Sequence, residues 1–461
     1  MSSNWPVVRI DDIKADRKNA ITIGPFGSRM KSDCYVESGI AVIRGTNLGS
    51  TSHFINDFVY ITEKKADELA SCNVYKNDLV FPHRGSIGEV GIVEHEQRYV
   101  LSSSLMKLTC AADKACPKFI YYFFKSSTGR HELLKNASQV GTPGIGQPLS
   151  SLKSIELSLP PLKIQENIVK ILSGLDEKIH INQQINQTLE QMAQALFKSW
   201  FVDFEPVKAK IAALEEGSSQ EDATLAAMSA ISGKDADTLA VFEREQPEHY
   251  AELKATAELF PSAMQESELG EVPEGWRTEN VENIINRLKV KNTFPADCIK
   301  QFGQHPVLEQ GAKIYQGYHD EEPSFNASLQ SPMFIFGDHT CVMHLSTVPF
   351  DISKNTLVLK GKGFNTYWTF FALKGKQKFQ EYKRHWSDLK VKQVVIPDEN
   401  NGLLLTKYFA VKCEDLFGLL EQNRKQNLIL QNIRDTLLPK LLSGEITLPE
   451  AELVISEAEN V

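Results

Sequence analysis

The stretch Pro160–Phe204, PPLKIQENIVKILSGLDEKIHINQQINQTLEQMAQALFKSWFVDF, decides the fold. Its apolar residues Ile164, Ile168, Ile171, Leu175, Ile185, Leu189, Met192 and Leu196 step by threes and fours. That spacing is the seam of a coiled coil, because a 3.5-residue repeat keeps one stripe turned toward a partner helix. Lys178 or Ile179, and then Asn182, fill the seam between Leu175 and Ile185. The pair Pro160-Pro161 bars helix upstream and suits a helix start.

The pattern returns from Thr406 to Leu442. An offset of 241 carries Ile168 to Phe409, Leu175 to Leu416, Leu189 to Leu430, Met192 to Ile433 and Leu196 to Leu437. Asn182 lands on Asn423, so the polar break in the seam is repeated too. Each helix spans about 55 Å at 1.5 Å per residue. Both asparagines sit at helix midpoints, so a pair of these helices in register sets Asn182 opposite Asn423. Midpoints match in either direction; the duplicated architecture argues for an antiparallel pair. The expected seam is Ile168, Leu175, Asn182, Leu189, Met192 and Leu196 against Phe409, Leu416, Asn423, Leu430, Ile433 and Leu437.

Composition is that of an ordinary globular chain, with 24% charged residues and no apolar run of membrane-spanning length. The opening MSSNWPVVRIDDIKADRK lacks a signal-peptide core, and the seven cysteines show no zinc spacing. Both features point to a cytoplasmic protein with reduced thiols and no metal. The net charge of −9 is unevenly placed: residues 1–160 carry +3, residues 205–275 carry −11 and residues 276–400 carry +3. Two mildly basic blocks therefore flank an acidic linker, a distribution compatible with nucleic acid.

In the first block, GPFGSRMKS resembles a phosphate loop, but Met30 stands where the glycine before the lysine is required. Arg29 and Lys31 remain as candidate DNA contacts. The strand Ile40 to Ile43 leads into Arg44 and Asn47, and a second strand ends in His83, Arg84, Gly85 and Ser86. Such loops suit base edges and phosphates, since arginine bridges guanine and asparagine adenine, while the same residues also serve as turn caps. Thr142 lies in the loop GTPGIGQPLS, expected to be flexible. Phe119 to Phe124 reads as an aromatic core segment. The linker reads as short helices joined at Gly217-Ser218-Ser219 and Ser232-Gly233, by default a solvated spacer, with a partner-docking surface as the alternative.

The second block, from Trp276, repeats the order of the first, with WRTENVENI echoing WPVVRIDDI. Its candidate contacts are Gln310, Lys313, Gln316, His339, Lys383 and Arg384. Asp338 beside His339 hints at acid–base chemistry, but neighbours on a strand face opposite ways and no nucleophile accompanies them. The expected organisation is α+β: two mixed α/β blocks (1–160 and 276–400), long helices at 161–204 and 401–445, the acidic helical linker 205–275 and a tail 446–461. A duplicated chain of this kind carries an internal pseudo-twofold repeat.

With GPFGSRMKS, VIRGTNL, LPPLKIQENIVKILSGLDEKI, LEQMAQALFKSWFVDFEPV, LGEVPEGW and NIRDTLLPKLLSGEI in view, the chain resembles the specificity subunit of type I restriction–modification enzymes over essentially its full length. The resemblance implies two target recognition domains held apart by an antiparallel coiled coil, each reading half of a bipartite site in double-stranded DNA. It also implies two methyltransferase subunits docked on the helices, together with restriction subunits that translocate and cleave DNA. S-adenosylmethionine, ATP and Mg2+ would be used by those partners, with no cofactor and no catalytic residue in this chain. Since the halves differ in sequence, the site they read should be asymmetric, with half-sites about one DNA turn apart, roughly 34 Å. No N/D-P-P-Y/F methyltransferase motif and no nuclease carboxylate cluster occurs in the sequence. Two other classes remain to be distinguished: a helical interaction scaffold with no DNA role, and a catalytic DNA-modifying enzyme.

Overall fold

The computed structural model describes residues 5–459 apart from 50, 51, 56, 139–141, 291, 292, 312 and 382. The chain forms two compact units: Met1–Asn182 with Gln426–Val461, and Gln183–Lys425. Both long helices form, at Leu162–Phe201 and Asn401–Ser443.

The helix starts are fixed by side chains. Buried Gln165 accepts from the Cys116 N–H at 2.8 Å and donates to the Pro160 carbonyl at 2.7 Å, fastening the first turn to the globular part. At the second helix, Asp398 accepts the N–H groups of Asn400 and Gly402 at 2.9 Å each, satisfying donors that an uncapped first turn leaves open. Gly402 is required there, since a Cβ would lie 2.3 Å from Pro397.

In the first unit, Ile168, Leu172, Leu175 and Ile179 share one core with Leu430, Ile433, Leu437 and Leu441 of the second helix. Asp176 pairs with Arg434 at 2.8 Å and Asn182 donates to Asn427 Oδ1 at 2.9 Å, so rising numbers on one helix meet falling numbers on the other. In the second unit, Leu189, Ala193, Phe197 and Trp200 pack with Leu405, Phe409, Cys413, Phe417 and Leu420. Asn423 there donates to Asn186 Oδ1 at 2.9 Å. Both halves are antiparallel, as the duplication argued.

The register differs from expectation by one helical turn. Asn182 faces Asn427 and Gln426, at 2.9 and 2.8 Å, and not Asn423, whose partner is Asn186. The offset of 241 also relates Asn186 to Asn427, so the repeat supplies two asparagine pairs where the midpoint argument allowed one. The seam steps through Ile168, Leu172, Leu175, Ile179, Asn182, Asn186, Leu189, Ala193 and Leu196. Met192, expected in it, is 52% exposed and Ile185 is 43% exposed. At three rungs the more buried residue lies one position later than the apolar residue chosen: Leu172 for Ile171, Asn186 for Ile185 and Ala193 for Met192.

Each unit carries a β-rich domain, and the two share a plan. A ribbon pairs Val7–Arg9 with Glu156–Ser158 in one, and Arg277–Asn280 with Gln393–Ile396 in the other. Next comes a four-stranded antiparallel sheet: Ile21–Ile23, Leu105–Leu108, Leu79–Pro82, Gly91–Ile92 in the first. Its counterpart runs Ile285–Arg287, Thr356–Gly361, Met333–Gly337, Met343–Ser346. A parallel pair then recurs: Ile40–Ile43 beside Tyr99–Leu101, and His305–Leu308 beside Asp351–Ile352. The sheet that holds this pair is five-stranded in the first domain and three-stranded in the second.

Two other expectations change. The segment after Thr142 forms the strand Gly144–Ile145 and the helix Pro148–Ser154, since Ile145 and Leu152 are drawn into the core; residue 141 lies outside the described residues. The acidic linker folds into four helices, Glu205–Glu215, Gln220–Ser232, Ala236–Glu245 and Pro247–Glu258. Ala227, Met228, Leu239 and Ala257 give it a small core, so the expected short helices form a packed module. The breaks are those expected: Ser219 caps one helix and Gly233, at φ +68°, ends it.

Candidate nucleic-acid interface

The strand order of the first unit brings several loops together. Ile21–Ile23 and Leu79–Pro82 both run antiparallel to Leu105–Leu108, so their C-terminal ends meet its start. Ile40–Ile43 runs parallel to Tyr99–Leu101, so both point into the same turn, Ser102–Ser103–Ser104. Hydrogen bonds close the convergence: Ser102 N–H to Ile43 O at 2.9 Å, His83 N–H to Ser104 O at 2.8 Å and Gly24 N–H to Leu105 O at 2.8 Å. The loop after Thr142 joins by Gly85 N–H to Pro143 O at 2.9 Å. A Cβ on Gly45 would lie 3.5 Å from Ser86 Oγ, which places the loop after Arg44 against the loop after Arg84.

Arg84, Ser86 and Thr142 are thus neighbours on one exposed edge. Lys31 is exposed on the loop after Gly24. Arg29, also exposed, gives its guanidinium to the Glu68 carbonyl at 3.2 Å. Arg44 donates to the Asp57 carbonyl at 2.9 Å, which fixes its loop. Asn47 must be withdrawn as a base reader. It is fully buried, its amide donates to Ile55 O at 2.9 Å, and its oxygen accepts the Arg44 N–H at 2.9 Å. A side chain so spent caps a turn. His83 is buried with Nε2 3.1 Å from Ser103 O, and desolvation holds its pKa below the usual imidazole value. Ser103, exposed at the hub of these loops, escaped the sequence reading. The SSS run between two apolar strands was its only signal.

The second unit places loops at equivalent strand ends with different chemistry. Gln310 and His339 are joined by the His339 N–H to Gln310 Oε1 bond of 3.0 Å. Asp338 accepts the Trp386 N–H at 2.9 Å through its carboxylate and the His385 N–H at 2.8 Å through its carbonyl. It therefore anchors the segment holding Lys383 and Arg384 beside His339, a structural duty that leaves no acid–base pair. Gln316 donates to the Glu309 carboxylate, Lys383 pairs with Asp388 at 2.6 Å, and Lys313 and Arg384 are exposed.

Each domain is tied to its own part of the helix pair by polar contacts. In the first unit Tyr122 donates to Asp176 at 2.8 Å, and the His53 ring stacks on His180 at 3.7 Å. In the second, Tyr315 hydroxyl lies 3.0 Å from His344 Nε2 while Arg424 covers the Tyr315 ring at 5.2 Å. Burial first, then Arg424 and Lys374, hold the His344 pKa well below 6.5. The unfolded chain accepts a proton below pH 6.5 that the folded one refuses, so stability falls as pH drops. The expected slope approaches about 1.4 kcal/mol per pH unit between the two pKa values, and vanishes above about pH 7.5. Melting curves of wild type and His344→Gln from pH 7.5 to 5.5 should diverge, with the variant the flatter.

Among the described residues no group of three or more His, Cys, Asp or Glu side chains could hold a metal ion, and no helix is long and apolar enough to cross a membrane. The family model for the type I restriction modification DNA specificity domain matches residues 3–191. The HindI specificity subunit of Haemophilus influenzae is 32% identical over 411 residues, covering 81% of this chain and 87% of that protein. The MjaIX specificity subunit of Methanocaldococcus jannaschii is 26% identical, covering 85% and 82%. Among solved structures, the S subunit from M. genitalium aligns with TM-score 0.45 at 15% identity, covering 96% of this chain and 97% of that one. The HsdS subunit from Thermoanaerobacter tengcongensis aligns at TM-score 0.32 and 11% identity, covering 97% and 98%. The chain belongs to the specificity subunits of type I restriction enzymes. It is the DNA specificity component of a type I restriction–modification complex, a non-catalytic part of that enzyme.

Proposed function

We propose that each β-rich domain reads one half of an asymmetric bipartite site in double-stranded DNA. The observation that carries this is the repeated plan: equivalent strands lead into Arg44, Arg84 and Ser86 in one domain and into Gln310 and His339 in the other. One scaffold with two sets of donors and acceptors suits two different half-sites. The helix pair docks two methyltransferase subunits, and restriction subunits that translocate and cleave DNA complete the assembly. S-adenosylmethionine, ATP and Mg2+ enter through those partners, in the cytoplasm where the DNA is. Target adenines must leave the stack to be methylated, and that machinery belongs to the methyltransferases.

The test is binding of the assembled methyltransferase complex to its target duplex. Arg84→Ala should weaken specific binding by about 1–3 kcal/mol, roughly 5- to 150-fold. It should also relax discrimination only at positions of one half-site. Unchanged affinity and unchanged discrimination would remove the Arg84 edge from the DNA interface.

A further inference from the structure

Phe26 has no role in the reading so far, yet it stands on the edge where the first domain's loops meet. Gly24 and Pro25 are buried, and a Cβ on Gly24 would lie 1.9 Å from the Ser102 carbonyl oxygen, so the loop is clamped to the central turn. Immediately beyond the clamp Phe26 is 62% exposed, the largest value of any phenylalanine among the described residues. Gly27 follows at φ +59° and opens the turn Gly27–Arg29, whose Arg29 N–H returns to the Phe26 carbonyl at 3.3 Å. The ring is therefore held outward on a short, fixed loop. In the second domain the strand Ile285–Arg287 is followed by Leu288 and Val290, which pack on an apolar core. At this strand end the projecting ring belongs to the first domain; the exposed phenylalanine of the second, Phe379 at 58%, follows the helix Thr366–Leu373 instead.

A phenyl ring offers no hydrogen bond to a phosphate or to a base edge. On a DNA-facing edge it can meet only the apolar surface of a base, a thymine methyl or an exposed base face. We propose that Phe26 is a base-contacting residue of the first domain, adding apolar readout to the polar contacts of Arg84 and Ser86 and contributing to specificity in that half-site only. This rests on the DNA-interface reading above.

The experiment uses the chain assembled with its methyltransferase partners and a duplex carrying the sequence that the complex methylates, identified by sequencing its modified DNA. Phe26→Ala should weaken binding to this duplex about tenfold or more. Binding to random duplex should stay as it was, and so should the salt dependence, because no phosphate contact is lost. Phe26→Leu should recover part of the affinity. Thymine-to-uracil replacement at successive positions, and separately 2-aminopurine fluorescence, distinguish the sources: wild-type affinity drops at one uracil if a methyl is read, while fluorescence rises at one step if a base face is taken. An exposed side chain can be truncated without unfolding the domain, and an unchanged melting temperature checks this. If Phe26→Ala binds as wild type while Arg84→Ala is impaired, the Phe26 proposal falls and the interface stands. If neither variant is impaired, both fall. Equal weakening on random duplex, or weakened methyltransferase association with DNA contact intact, also overturns it.

Discussion

Replacing Arg434 by methionine lowers the stability of the unit formed by Met1–Asn182 and Gln426–Val461 by about 3–5 kcal/mol. Arg434 lies 2.8 Å from Asp176, with side-chain exposures of 13% and 4%. Asp176 also accepts the hydroxyl of buried Tyr122 at 2.8 Å. Both charges were dehydrated on folding, and each offsets the other's cost only while the pair is intact. Methionine fills much of the arginine volume, so the loss measures an abandoned carboxylate more than a cavity. The unit's calorimetric transition should move down by about 6–20 °C. Adding Asp176→Asn should restore part of the loss, because no buried charge then lacks a partner. A single variant as stable as wild type would mean that water reaches Asp176.

Truncation of Phe409 to alanine strikes the other unit as hard. Phe409 is fully buried, and its ring sits 5.6 Å from Phe201, 5.8 Å from Phe197 and 5.8 Å from Phe371. It thus joins both long helices to the second β-rich domain inside one aromatic core. Loss of a ring from such a core costs about 3–5 kcal/mol, made up of the transfer term and the cavity left behind. Thermal unfolding of Phe409→Ala should show a destabilised transition for Gln183–Lys425. Phe409→Leu should recover more than half. Loss of less than about 1 kcal/mol in the alanine variant would mean that the core collapses around the gap.

The helix pair was legible because its burial obeys a short period. The wrong register came from matching helix midpoints, and the wrong seam residues from reading hydrophobicity alone. Ile171, Ile185 and Met192 were preferred over Leu172, Asn186 and Ala193, yet the latter three lie nearer the partner helix. A seam tolerates asparagine when a second asparagine answers it, as Asn186 and Asn423 do. The interface was legible in part. Strand-ending loops with Arg84 and Ser86 stood out, but their meeting at Ser102–Ser104 depends on pairings between distant strands that no local pattern encodes. Asn47 misled for a related reason: asparagine suits an adenine edge and a turn cap equally, and burial alone decides between them. The packing within the acidic linker was not legible because its few core residues, Met228 and Leu239 among them, are scattered among charges.

The most direct test of two readers in one chain exchanges residues 276–400 for the corresponding segment of another specificity subunit and maps methylated bases genome-wide. Two independent readers predict modification at a hybrid site: one half as before, the other half that of the donor, and no methylation left at the original site. Methylation that stays at the original site, or a change in both halves at once, would contradict the account.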